Sequence, residues 1–96
     1  MELTSIYARN DNVVSRKIVD ELILVPIRKS VAEMETLYTL NEVGARVYEL
    51  IDGERALGEI AEVIVNEFEV TPERAQSDVR EFIDQLLQIE SIREVD

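Results

Sequence analysis

The order of residue patterns along the chain predicts an α+β fold, a three-stranded antiparallel meander followed by three helices. Three observations carry this reading. Apolar residues alternate at the two-residue period of a strand up to Leu40. Beyond Asn41 the spacing lengthens abruptly to that of a helix. Two further helical patterns follow, the second of them opened by Thr71-Pro72.

Residues 1–12 are polar and mixed, with Leu3, Ile6 and Tyr7 as candidate anchors, and read as a flexible N-terminal arm ahead of a domain spanning residues 13–96. Residues 13–19 are β-branched and apolar at four of seven positions, and residues 21–27 contain Leu22-Ile23-Leu24-Val25. Two strands therefore meet around Asp20-Glu21 as a hairpin. Pro26 lacks the N–H that a central ladder position requires, so it belongs at a strand end or an edge. Residues 28–34 form a polar excursion, and residues 35–40 return as a third strand.

In that strand Thr36, Tyr38 and Leu40 alternate with Leu37 and Thr39, after which Val43, Val47, Leu50 and Ile51 follow the helical period. Asn41 suits an N-cap because its side-chain oxygen can accept from a free amide of the first turn. Gly53 suits the left-handed conformation that stops a helix. The second helix carries Leu57, Ile60, Ala61, Ile64, Val65 and Phe68 on one face. In the third, Thr71 caps, Pro72 fits the first turn, and Glu73 sits where the helix dipole favours an acid. Its apolar positions Ala75, Val79, Phe82, Ile83, Leu86, Leu87 and Ile89 cover roughly 160° of arc, wider than one packing seam needs. Part of that arc faces something other than the core.

Ninety-six residues make one domain, and 46% hydrophobic with 32% charged residues is the balance of a soluble globular protein. No apolar run approaches the ~20 residues that span a bilayer, and residues 1–12 have neither the basic start nor the hydrophobic stretch of a signal peptide. A cytoplasmic location without membrane attachment is expected. The chain contains no histidine and no cysteine. Their absence removes the commonest general base, the thiol nucleophile and the commonest transition-metal ligands, so neither catalysis nor a bound cofactor or metal is expected.

The net charge of −11 is uneven: residues 1–40 hold six acids against five bases, and residues 41–96 hold fifteen against five. Such a surface repels phosphate backbones and anionic membranes. The third helix carries Glu73, Asp78, Glu81, Asp84 and Glu90 against Arg74 and Arg80, which disfavours nucleic acid even if the fold is winged helix-turn-helix-like. Glu59, Glu62, Glu67, Glu69 and Glu73 match no cation-binding loop and read as a solvated helix face. Asp78, Glu81 and Asp84 have no accompanying nucleophile or pocket-forming glycines and read as surface charge.

The meander remains. Its third strand is short, free of proline and lysine, and positioned as a sheet edge, whose unpaired N–H and C=O groups an extended peptide could satisfy. The alternative is an ordinary edge with Tyr38 and Leu40 in the core, and pattern alone favours it. An open edge can also pair between copies, so monomer and homodimer are both allowed.

Four segments, in order and at characteristic spacing, carry a family resemblance: V-S-R-K-I-V-D-E-L-I-L-V, L-Y-T-L-N-E-V-G-A-R-V-Y-E-L-I-D-G, L-G-E-I-A-E-V-I-V-N-E-F-E-V and D-V-R-E-F-I-D-Q-L-L. Over residues 13–92 the chain resembles the PqqD family and its wider relatives, the leader-peptide recognition domains of ribosomally made, modified peptides. The resemblance implies a winged-helix-like domain without activity of its own. Such a domain takes the leader of a precursor peptide as an added strand, in a cleft completed by the third helix, and presents it to a modifying enzyme. In pyrroloquinoline quinone biosynthesis that enzyme is a radical S-adenosylmethionine protein. By position, Thr36, Leu37, Tyr38, Thr39 and Leu40 would supply the pairing strand, and Asp78, Phe82, Gln85 and Leu86 the helix side. A structural or regulatory winged-helix module that binds another protein, or DNA, is the alternative. The chain departs from the family's usual pattern at Ala56, where a Thr or Ser commonly precedes the second helix, and at Ser91-Ile92, where Gly-Leu is common.

Overall fold

The computed structural model describes residues 2–11, 13–19, 21–26 and 38–95. Along these the elements are β1 (Ile6–Arg9), β2 (Val13–Ile18), β3 (Glu21–Pro26), β4 (Tyr38–Leu40), α1 (Glu42–Leu50), α2 (Leu57–Phe68), α3 (Pro72–Gln88) and β5 (Ile92–Val95). The expected α+β arrangement is present: β2, β3 and β4 form an antiparallel sheet in that order, and three helices follow. Residues 28–37, including Thr36 and Leu37 of the expected third strand, lie outside the described residues.

The inner side of the sheet is set by register. Leu22 pairs with Leu40 and Leu24 with Tyr38, so these four side chains share a face. Leu22, Leu24 and Leu40 are buried, and α1 packs on them through residues that include Val47 and Leu50. Behind α1, α2 contributes Leu57, Ile60 and Ile64, and α3 contributes Ala75, Val79, Ile83 and Leu86. These positions recur every three or four residues, which is why each helix buries one stripe.

α1 begins where the sequence places it. The Asn41 side chain accepts from the Gly44 amide at 2.9 Å, satisfying a donor that the first turn cannot pair. Its end is different from expectation. The helix stops at Ile51 in an extended conformation, whereas Gly53, at φ 83°, lies in the following turn and donates its amide to Tyr7 O. Gly53 is left-handed as its type allows, but it serves the docking of β1 and not the helix end.

Residues 6–9 are also different from expectation. Instead of belonging to a flexible arm they form β1, antiparallel to β5, with Tyr7 paired to Glu94 and only 2% exposed. The preceding residues cap α2. The amides of Leu57 and Gly58 donate to Ser5 O and Leu3 O, both at 2.8 Å, and Glu59 reaches back to accept from the Ala56 amide at 2.8 Å. Ala56 has no side-chain acceptor, so backbone carbonyls from the N-terminal segment take the place of the missing Thr or Ser. The packed unit therefore begins before residue 13.

At the other end of α3, Glu90 (φ 58°) takes the left-handed position of a Schellman stop: its amide donates to Leu87 O and the Ser91 amide to Leu86 O. Buried Ser91 adds its hydroxyl to the same Leu86 carbonyl at 2.9 Å. This closure turns the chain into β5, a strand absent from the expected meander.

Candidate functional site

β4 is an edge of its sheet among the described residues, paired with β3 on one side only. Tyr38 is half-buried, Thr39 exposed and Leu40 buried, the alternation of a strand with one face on the core. Where β4 passes into α1 a groove of about 430 Å³ opens between the start of α1 and the first three turns of α3. Val43, Val70 and Phe82 form its apolar wall, and Asn41, Arg74, Asp78 and Glu81 its polar rim.

The helix wall follows from spacing. Arg74, Asp78, Glu81, Phe82 and Gln85 fall at i, i+4, i+7, i+8 and i+11, one flank of α3 beside its buried stripe. Arg74 Nε donates to both Asp78 oxygens, at 3.1 and 3.3 Å. Among the described residues that pairing leaves Glu81 as the groove's unanswered charge, so the rim is net negative. Phe82 reaches across to α1, where Gly44 makes room for its ring: a Cβ there would lie 2.6 Å from Phe82 Cε1.

The residues expected at the helix side divide accordingly. Asp78 and Phe82 line the groove. Gln85 lies on the same flank, exposed, beyond the lining residues. Leu86 is 1% exposed in the core, because it sits on the stripe of Ala75, Val79 and Ile83 that meets the other helices. Its side chain has no surface to offer a ligand. Val43 and Val70 also line the groove. Val43 follows the helical apolar period of α1, and Val70 carries no periodic signal because it stands in the short link between α2 and α3.

A larger hollow, about 500 Å³, lies between the β1–β2 connection and the end of α1. Arg9 covers Tyr48 there, its guanidinium carbon 5.6 Å from the ring centroid, and burial pushes the Tyr48 hydroxyl above its ordinary value. Elsewhere two carboxylates are held by neighbouring donors. The Arg46 guanidinium donates to both Glu67 oxygens at 2.9 and 2.8 Å, joining α1 to α2 and holding the Glu67 carboxyl below the usual range. The Arg55 and Glu54 amides do the same for Asp52. Among the described residues no cluster of acidic side chains is arranged to hold a metal ion, and no helix is long and apolar enough to cross a membrane.

Comparison with known proteins agrees with this architecture. TbiB1 in complex with the TbiA(beta) leader peptide superposes with a TM-score of 0.73 at 28% identity, over 90% of this chain and 94% of that one. Lasso peptide synthetase B1 complexed with the leader peptide superposes with a TM-score of 0.72 at 13% identity, over 94% and 98%, a likeness of fold. No curated protein matches the sequence. The family model of coenzyme PQQ synthesis protein D matches residues 21–92, the stretch that holds the β3–β4 edge, all three helices and the groove, and the chain belongs to the PqqD family.

Proposed function

We propose that this chain is a non-catalytic peptide chaperone that binds the leader of a precursor peptide and presents it to a modifying enzyme, in pyrroloquinoline quinone or related modified-peptide biosynthesis. The leader adds as a strand to the free edge of β4 and places apolar side chains against Val43, Val70 and Phe82. The observation that supports this reading is the juxtaposition of a strand edge that is unpaired among the described residues with an apolar groove. Backbone groups of β4 then supply affinity without sequence preference, and the groove supplies selection. The leader peptide bound to TbiB1, at 28% identity, supports the same ligand class. The net-negative rim favours a leader carrying Lys or Arg near its apolar anchors over an acidic one. A radical S-adenosylmethionine protein is the class of enzyme that the family resemblance suggests as recipient.

Titration of isotope-labelled protein with the leader peptide encoded beside it tests the site. The amides of Tyr38, Thr39, Leu40, Val43 and Phe82 should move on binding. Binding that leaves these five signals in place would refute the proposed position.

A further inference from the structure

The outer face of the β2–β3–β4 sheet is unusually apolar for a face turned away from the core. Register puts Val14 opposite Val25, Arg16 opposite Ile23 and Ile23 opposite Thr39, and all of these point away from Leu22 and Leu24. An antiparallel sheet packed on one side normally carries polar residues on the other. Here Val14 is 46% exposed and Ile18 50% exposed, with Ile23 and Val25 half-buried between them. The hairpin tip extends the patch: Val19 is exposed and stands at φ 57°. A β-branched residue is strained in that region, and Asn or Gly would suit the turn better. Val19 contributes nothing to the core, so the fold gives no reason for an apolar side chain there.

Arg16 stands in the middle of this patch, with exposed Glu21 on the same face opposite Ile18. Among the described residues Arg16 has no ion-pair partner. The helical part of the chain is strongly acidic, so a cation set in an apolar field is the feature that separates this face from the remaining surface. A different protein with an apolar surface and a carboxylate opposite Arg16 complements it.

We infer that the outer sheet face is the docking surface for the enzyme that acts on the bound peptide, an inference that rests on the proposed leader site. A leader strand added to β4 continues the same sheet, and its alternate side chains emerge on this face next to Thr39. The enzyme then contacts domain and peptide together, and binds the complex more tightly than either part.

The test uses purified full-length chain, a fluorescent leader peptide and the purified peptide-modifying enzyme, both encoded beside it. Leader affinity is read by anisotropy and enzyme affinity by interferometry, for the wild type, Arg16→Glu, Ile18→Ser and Val19→Asn. Each variant should weaken enzyme binding about tenfold and leave leader affinity within about twofold. Val19→Asn is the sharpest arm, because it relieves backbone strain and should preserve or raise the melting temperature while weakening the enzyme complex. Enzyme binding unchanged in all three variants overturns the inference. So does sedimentation showing a wild-type dimer that Ile18→Ser dissociates, since a second copy would then own the face. Failure of the wild type to bind the leader overturns the proposed function first, and this inference with it.

Discussion

Gly44 and Phe82 are in contact that admits no side chain between them: a Cβ at Gly44 would stand 2.6 Å from Phe82 Cε1, well inside the separation of non-bonded carbons. The contact ties the first turn of α1 to the flank of α3 that walls the groove. Gly44→Ala gains helix propensity of about 1 kcal/mol but must push the ring aside. Because Phe82 is half-buried, the ring can move toward the groove, so folding stability should change by less than about 1 kcal/mol. Leader affinity should fall about tenfold, as read by anisotropy with the melting temperature as control.

Phe82→Ala removes the groove's aromatic wall outright. Leader binding should weaken by at least about tenfold, in line with loss of an aromatic anchor, and Gln85→Ala on the exposed continuation of the same flank should change it less than about twofold. Equal effects from the two substitutions would place the peptide further along α3.

Tyr7 anchors β1, which closes on β5 and follows directly on the residues that cap α2. Tyr7→Ala should cost about 3–5 kcal/mol, the range for emptying a large aromatic from a core. Removal of residues 1–9 should also expose the first amides of α2. Urea unfolding of both variants measures this, and stability within about 1 kcal/mol of wild type would mean that β1 is dispensable.

Glu69 ends α2 in the left-handed region at φ 53°, and its carboxylate sits at the negative end of the helix dipole. Glu69→Gly should therefore stabilise the fold, by about 0.5–1 kcal/mol after the entropy of glycine is set against the relieved strain. A rise in melting temperature is the expected reading.

The Arg46–Glu67 pair predicts a pH dependence of definite sign. The Glu67 carboxyl is lowered chiefly by hydrogen bonds from Arg46. A lowered carboxyl adds stability above its unfolded value, about 4.3, and loses it as pH falls through the lower folded value. The melting temperature of Glu67→Gln should therefore lie below wild type at pH 7, with the gap closing as pH falls below about 4. A gap independent of pH would assign the effect to packing.

Much of the fold was legible because local chemistry and tertiary role agree. Asn41 accepts from the amide it was expected to cap, Thr71 accepts from Arg74, and Pro72 opens α3. Where local signals were silent, the reading failed. Only four residues long, β1 buries Tyr7 and pairs with residues more than eighty positions away, so no period announces it. Ala56 and Glu90 occupy positions where their types carry no capping or stopping signal; the distant carbonyls of Leu3 and Ser5 complete the start of α2, and the carbonyls of Leu86 and Leu87 the end of α3.

The sequence by itself determined the types and order of β2 to β4 and the three helices, the absence of histidine and cysteine chemistry, and the acidic surface of the helical part, because these depend on composition and periodicity. Which face of each element matters was decided only by packing. Leu22-Ile23-Leu24-Val25 is apolar on both sides, and period alone cannot tell inner from outer until α1 covers Leu22 and Leu24. The wide apolar arc of α3 likewise became a buried stripe through Leu86 and a groove wall through Phe82 when α1 came close enough at Gly44 to separate them.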